Sequence, residues 1–375
     1  MRILRICSEL YPYILGGIGL HAHDLTRDLL EHDVDSVIYT CLPDYDVEVS
    51  FDIPVDVVDF SRKLLVVGNP LCVNMFPKLW KNRYNYDVIH AHSHLFFCTL
   101  ISAVVRKLGS SPLVITNHGF QSQSAPKWLQ KIYLPTVGRW TLNAADVVLC
   151  YTDEAKEEIV NAGVSAEKVA VISFGIDTSA FSPCPKKENE RFSVIWVGRL
   201  APRKGLKYML LGFKEFHSKH PNSELKIIGD GEYYLRIKEW ISECHLEDCI
   251  FLPGKVNYDL IPQYYSDADV FCMTSLYEAG PRTLLEAMSC ECPVISTDLE
   301  HLKSIIPKCG IMVPTRDSSA ISDALENIQM NPVKFKEMGK KGREIILQEY
   351  SWSQLVSNVV KIYDKLVDGV NKPKL

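Results

Sequence analysis

Residues 182–205 read SPCPKKENERFSVIWVGRLAPRKG. The first ten, 182–191, are polar, carry two prolines and show no apolar spacing, which is the composition of a connector between domains. The text then turns into SVIWVG (193–198), an apolar run through which no polar residue alternates. Such a run reads as a strand buried on both faces, and strands of that kind belong to parallel sheets covered by helices. The signature recurs on both sides of the connector. Before it stand RILRIC (2–7), SVIYT (36–40), VDVVD (55–59), DVIHA (87–91), LVITN (113–117), DVVLC (146–150) and VAVI (169–172). After it come ELKIIG (224–229), CIFLP (249–253), DVFCM (269–273) and PVIST (293–297). Helix-length amphipathic segments, among them 18–31 and 153–162, lie between them. The chain therefore reads as α/β, with two Rossmann-like doubly wound domains at 1–183 and 190–350. SWSQLVSNVVKIYDKL (351–366) comes next as a last amphipathic helix. Ligands in such folds sit beyond the carboxyl ends of the strands, so a cleft across which the two domains face each other is the expected site.

The composition agrees. Of 375 residues, 47% are apolar and 23% charged, which excludes a disordered chain, a coiled coil and a collagen-like repeat. The longest strongly apolar run, Phe96 to Val105, is about half of the ~20 residues that span a bilayer. The chain opens on a strand-like RILRIC without a signal-peptide pattern, so a cytoplasmic location is expected. A net charge of −5 argues against nucleic acid as a partner. That charge lies in the first half: residues 1–183 hold 15 basic and 20 acidic side chains, and the remainder 26 of each. Twelve cysteines without a C-x-x-C pair read as reduced, mostly buried thiols.

In the first half, the first strand leads to the glycine loop GGIGLH (16–21). Gly17, Gly19 and Ala22 nominally match a dinucleotide fingerprint, but about eight residues separate the strand from the glycines, so a glycine loop entering a helix is the better reading. There Gly16 and Gly17 let a ligand approach the backbone, and the helix start favours an anion. His90, His92 and His94 alternate at a strand end. With no carboxylate or cysteine cluster nearby they read as strand-end histidines, and no metal is expected. His118, in TNHG, ends another strand and is placed to hydrogen-bond a hydroxyl or carbonyl in the cleft.

In the second half Arg199, Arg203 and Lys204 come after one strand and precede a helix. Cations at a helix N-terminus oppose its dipole, and a bound diphosphate supplies a reason for them. Each cation within ~4 Å of a phosphate charge gains on the order of 4 kcal/mol before desolvation at an effective dielectric near 20. After DVFCM comes YEAGPRTLLEAM (277–288). Glu278 lies in the loop at a helix mouth and Glu286 inside the helix, at most about 12 Å further on. Gly280 precedes the first turn, and the backbone N–H groups of Arg282 and Thr283 are expected to point at phosphate.

Taken in order, GGIGLH (16–21), DVIHAHS (87–93), TNHGF (116–120), VGRLAPRKG (197–205), IIGDGE (227–232), SDADVF (266–271), YEAGPRTLLEAMSC (277–290), PVIST (293–297), GIMVP (310–314) and YSW (350–352) resemble the retaining glycosyltransferase family 4 over nearly the whole chain. The resemblance implies the GT-B fold, with the last helix (352–368) packing back on the first domain. It implies that Arg199 and Lys204 hold the donor diphosphate, that Glu286 binds the ribose hydroxyls, that Glu278 contacts the transferred sugar and that His118 hydrogen-bonds it. Gly16 and Gly17 would approach the donor phosphate and the acceptor. Gly254, Lys255 and Val256 would recognise the base. The sequence departs from the family's pattern at Pro281, where a glycine is common, and at Glu300 and His301, where a glycine pair is.

The expected activity is metal-independent, cofactor-free transfer of a hexose from a nucleoside-diphosphate sugar to a glycan or lipid-linked acceptor, with retention of configuration. A 2-epimerase of the same fold and an inactive nucleotide-sugar-binding subunit are the alternatives. Aromatics and cations mingle at 78–84 (Lys78, Trp80, Arg83, Tyr84) and at 124–140 (Trp128, Lys131, Arg139, Trp140). Amphipathic packing helices are the plainer reading of both stretches. A peripheral membrane contact that meets a lipid-linked acceptor is the other.

Overall fold

The computed structural model describes every residue except 12–16, 43–52, 61–63, 67, 121, 123–124, 188–189, 279 and 372–375. The chain divides into two compact units, Met1–Ser173 with Ser353–Leu375, and Phe174–Trp352.

The first unit is built on a seven-stranded sheet: β1 Arg2–Ile6, β2 Asp35–Thr40, β3 Asp56–Asp59, β4 Val88–His92, β5 Leu113–Thr116, β6 Val147–Cys150 and β7 Val169–Val171. Their spatial order is β3-β2-β1-β4-β5-β6-β7 and every pairing is parallel. Successive side chains alternate between the two faces. Leu4, Ile6, Ile89, Ala91, Leu113 and Ile115 join one buried apolar cluster. Arg5, His90 and His92 fall on the opposite face, with Arg5 directly across from His90. The last helix, Trp352–Asn371, joins this unit from Ser353 on, and its Tyr363 is fully buried with its hydroxyl on His90.

The second unit repeats the plan: β8 Phe192–Val197, β9 Ser223–Ile228, β10 Ile250–Gly254, β11 Val270–Met273, β12 Val294–Thr297 and β13 Gly310–Val313, in the order β10-β9-β8-β11-β12-β13. In both sheets the order reverses at the first strand, between β1 and β4 and between β8 and β11. Ligand crevices open at such switch points in doubly wound sheets.

The division at 173/174 lies ahead of the connector inferred at 182–191. The described part of that segment is tied to the second unit: Cys184 N donates to Ser266 Oγ (3.0 Å), Lys187 N to Asp267 Oδ1 (3.0 Å), and Lys186 pairs with Asp269 (2.6 Å). Polar composition marked a surface strap there, since its donors find acceptors at the end of helix Ile261–Asp267. All twelve cysteines are unpaired thiols and ten are buried.

Candidate functional site

The β8 and β11 ends meet through backbone. Gly205 has φ 66°, and a Cβ there would sit 2.0 Å from the Thr274 carbonyl oxygen. Thr274 Oγ1 donates to the Lys204 carbonyl (3.0 Å) and Leu276 N to the Arg203 carbonyl (2.7 Å). This seam carries Lys204 onto Glu278: Nζ lies 2.5 Å from Oε1, and Ser275 Oγ donates to the same oxygen at 2.6 Å. Both side chains are nearly enclosed, Lys204 at 14% exposure and Glu278 at 6%. Arg199 is exposed and makes no ion pair among the described residues. One cation is thus matched to a carboxylate at the switch point, and a second, without an ion pair among the described residues, stands just past the end of β8.

A second seam runs under Arg199. Gly229 has φ 142°, and its carbon would take a Cβ only 1.8 Å from the Gly198 carbonyl oxygen. The Gly229 N–H donates to the Gly254 carbonyl (2.9 Å), which sets the Gly254–Val256 stretch beside the glycine loops. Lys255 is exposed and Val256 partly buried. Gly229→Ala is expected to cost on the order of 3 kcal/mol, because backbone rather than a yielding side chain is in the way. A thermal midpoint unchanged in that variant would show that the loop can shift.

Glu286 lies buried on helix Arg282–Ser289. Tyr258 OH (2.5 Å) and Arg282 Nε (2.9 Å) donate to Oε1, and Tyr265 OH (3.3 Å) to Oε2. Burial pushes its carboxyl up, and Arg282, Tyr258 and Tyr265 hold it back. The backbone N–H of Arg282 donates to the Gly280 carbonyl (2.9 Å). The turn before the helix thus uses, within itself, the donor that was expected to point at phosphate. Thr283 comes next in the first turn, partly buried. Gly280 is glycine for a packing reason, since a Cβ would meet Phe174 Cδ2 at 2.8 Å. Ser275, Tyr258 and Tyr265 were not inferred from sequence. Ser275 could have been, as it stands just past a strand; Tyr258 opens a single 3-10 turn and Tyr265 lies in the short helix Ile261–Asp267, where a buried tyrosine reads as packing.

In the first unit Gly16 lies outside the described residues. Gly17 is exposed and opens helix Gly17–Leu30, and a Cβ on it would meet nothing within 4 Å among the described residues. His118 meets other histidines. Its Nε2 is 3.0 Å from His92 Nδ1, its Nδ1 is 3.3 Å from Tyr151 OH, and Tyr151 OH is 3.2 Å from His21 Nε2. One ring nitrogen of each of His21, His92 and His118 lies within 4.8 Å of the others. Strand alternation alone missed this cluster: His94 departs from the strand face to bond Asn117 (3.2 Å), and His21 arrives from the helix after β1. The ring nitrogens are of metal-binding type. Here the other nitrogen of His92 faces the guanidinium of Arg5 at 3.1 Å, where a metal-ligating histidine commonly meets a carboxylate or carbonyl.

Burial drives His118 down to about 3 and His94 to about 4, and takes His90 and His92 well below the ordinary value. These rings are neutral when folded but bind protons in the unfolded chain near pH 6.5. Between those values the unfolded chain holds more protons, so stability is complete above about pH 6.5 and falls with pH below it. The loss grows as pH falls further below the ordinary histidine range, and the four rings act in the same direction. Denaturant midpoints at pH 7.5 and 5.5 measure this; equal midpoints would contradict the enclosure of the rings.

The two aromatic and cationic stretches behave differently. Helix Met75–Asn82 packs: Met75 and Leu79 are buried, and Trp80 stacks on Phe76 under Arg83. Between Lys127 and Ala144, a helix with a π-helical turn at Leu134–Gly138, Trp128 is 65% exposed, Ile132 59% and Trp140 42%. Lys127, Lys131 and Arg139 are exposed among them, so the packing reading does not describe this surface. Ser124, at its start, lies outside the described residues. Among the described residues no helix is long and apolar enough to cross a membrane.

Comparison with known proteins matches residues 15–180 to the family described as Glycosyltransferase Family 4 and residues 179–345 to Glycosyl transferases group 1. The chain is 23% identical to the phosphatidylinositol N-acetylglucosaminyltransferase GPI3 subunit of Saccharomyces cerevisiae, over 97% of this chain and 83% of that one. It is 26% identical to the UDP-Gal:alpha-D-GlcNAc-diphosphoundecaprenol alpha-1,3-galactosyltransferase of Escherichia coli, over 80% and 79%. Its fold is similar to that of sucrose-phosphate synthase from Thermosynechococcus elongatus, with a TM-score of 0.85 at 22% identity, covering 98% and 99% of the two chains.

Proposed function

The chain belongs to the GT4-type glycosyltransferases of GT-B fold, and on that premise we propose that it moves a hexose from a nucleoside diphosphate to a glycan or lipid-linked acceptor, retaining configuration and using no metal ion. The observation that carries the reading is the Lys204–Glu278 pair at the switch point of the second sheet, with Arg199 exposed beside it.

Lys204 and Arg199 are the cations for the diphosphate. Phosphate charge draws Lys204 from Glu278, or shares it, and frees a carboxylate oxygen for the sugar. The bond from the anomeric carbon to the β-phosphate oxygen breaks, the acceptor oxygen bonds to that carbon on the same face, and its proton passes to the departing phosphate. Positive side chains stabilise the charge that develops on that phosphate, the work a divalent ion does elsewhere. Glu286, held by Arg282, takes ribose hydroxyls, and Gly254–Val256 faces the base. A uridine base is favoured, because the Escherichia coli relative is named for a UDP-Gal donor. The test is a screen of UDP-, GDP- and ADP-sugars with product anomers read by NMR. Donor consumed to its own epimer without acceptor, or bound without turnover, would replace the proposal.

The exposed Trp128, Ile132 and Trp140, interleaved with Lys127, Lys131 and Arg139, favour a lipid-linked acceptor met at an anionic membrane surface. The first half's net negative charge limits that attraction to the local patch, within a Debye length of about 8–10 Å. Each cation near such a surface is worth about 1 kcal/mol, so replacing the three by serine is expected to weaken vesicle binding on the order of a hundredfold. Equal co-sedimentation of both proteins with anionic vesicles would remove the membrane from the proposal.

A further inference from the structure

Arg5 is fully buried in β1, and its partners are neutral. Its Nη1 lies 3.1 Å from His92 Nε2 and 3.3 Å from His90 Nδ1. Its Nε and Nη2 have no hydrogen-bond partner among the described residues, and no carboxylate there pairs with it. Burying an uncompensated cation is costly, and a methionine would fill the same space without that cost. Packing therefore does not account for an arginine. What a methionine would lack is a group that can only donate.

That property propagates. Arg5 donates, so the facing nitrogens, Nε2 of His92 and Nδ1 of His90, accept. A neutral imidazole carries one proton, so His92 bears its own on Nδ1 and His90 on Nε2. His90 Nε2–H then donates to Thr116 Oγ1 at 2.7 Å, and the one lone pair of His90 Nδ1 is shared between the Tyr363 hydroxyl, the shorter contact, and Arg5 Nη1 at 3.3 Å. His92 Nδ1–H donates to His118 Nε2 at 3.0 Å. His118 Nε2 accepts, so the proton of His118 sits on Nδ1, facing Tyr151 OH at 3.3 Å, and the Tyr151 hydroxyl can pass its own proton toward His21 Nε2. Every contact is satisfied with one proton per ring, and reversing any ring would set two lone pairs or two protons against each other. Burial keeps His90 and His92 neutral, and the charge of Arg5 adds to it.

We infer that Arg5 is a positioning residue for His118: through His92 it holds the His118 proton on Nδ1, so that His118 meets a ligand as a hydrogen-bond donor at that atom. The 3.3 Å bond to Tyr151 is the longer of the two His118 bonds, and it is the one a sugar oxygen would replace. The tautomer assignment stands on the hydrogen-bond geometry and on the neutrality that burial imposes on the rings. Only its use in transfer rests on the function proposed above.

The test is long-range 1H–15N correlation on the full chain labelled with 15N-histidine. The wild type should show a protonated Nδ1 and an unprotonated Nε2 at His118 and at His92, and the reverse at His90. Arg5→Met should bring in the opposite tautomer at His92 and His118 and lower kcat about tenfold with a smaller change in KM. Arg5→Lys, which keeps an obligate donor, should restore the wild-type tautomers and most of kcat. A protonated Nε2 at wild-type His118 overturns the inference, and so does Arg5→Met with wild-type tautomers. If Arg5→Met does not fold, the wild-type spectrum and Arg5→Lys decide it. If the tautomers behave as stated and sugar transfer is absent, the function fails and the relay stands.

Discussion

Lys204→Ala is expected to lower donor-dependent turnover by about a hundredfold or more, the range seen when one preorganised charge-stabilising donor is removed. The diphosphate then loses the cation set at the switch point, while Arg199 remains. The variant also leaves Glu278, at 6% exposure, with the Ser275 hydroxyl as its remaining partner in this site. An orphaned, nearly buried carboxylate costs stability, on the order of 3 kcal/mol. Lost folding and lost catalysis must therefore be separated. Lys204→Ala with Glu278→Gln removes the orphaned charge, so the double variant should regain most of the thermal midpoint and none of the turnover. Turnover within tenfold of wild type in the single variant would sink the site assignment.

Glu286→Ala is expected to be the most destabilising change in the second unit as well as a disabling one. It removes the carboxylate to which the Arg282 guanidinium and the hydroxyls of Tyr258 and Tyr265 all donate. Breaking a buried pair from one side costs about 3–5 kcal/mol. At roughly 2–4 °C per kcal/mol for a unit of this size, the midpoint should fall by about 10 °C. Glu286→Gln keeps a carbonyl acceptor and should lose less stability. It should still raise the donor KM by tenfold or more, because a neutral amide is a poorer acceptor for ribose hydroxyls than a carboxylate. A wild-type KM in the glutamine variant would remove the ribose from the role given to Glu286.

Both variants concern residues legible in the sequence. Lys204 and Glu278 stand in the loops that follow strands buried on both faces, and Glu286 in the helix after one of those loops; such strands need no partner to be recognised, since they read as unbroken apolar runs. SVIWVG and DVFCM announce β8 and β11, and the residues past their carboxyl ends make up the candidate site. The partners that set these residues were not legible. Ser275 shares the Glu278 oxygen with Lys204, and Tyr258 and Tyr265 come onto Glu286 from a segment more than twenty residues upstream. The surroundings of the 182–191 segment were not legible for a similar reason. A polar, proline-containing segment looks alike whether solvated or strapped to a surface, and only Ser266, Asp267 and Asp269 decide which.

Two histidine patterns show the division most clearly. Alternation along β4 placed His90 and His92 on one face, because side chains repeat every second residue in a strand whatever surrounds it. It grouped His94 with them, where the chain had already left the strand. It gave no sign of His21 or His118, which come from other elements, or of Arg5, which a strand reading takes for an ordinary polar position. By itself the sequence determined the α/β class, the strands and the charged residues at their ends, since those arise from local periodicity and burial. The tertiary structure decided which donors meet which acceptors: that Lys204 neutralises Glu278, that Arg282 spends its backbone donor on Gly280, and that Arg5 stands behind His92. Hydrogen bonds and ion pairs depend on distances of tenths of an ångström between residues far apart in the chain, and strand order and register set those distances.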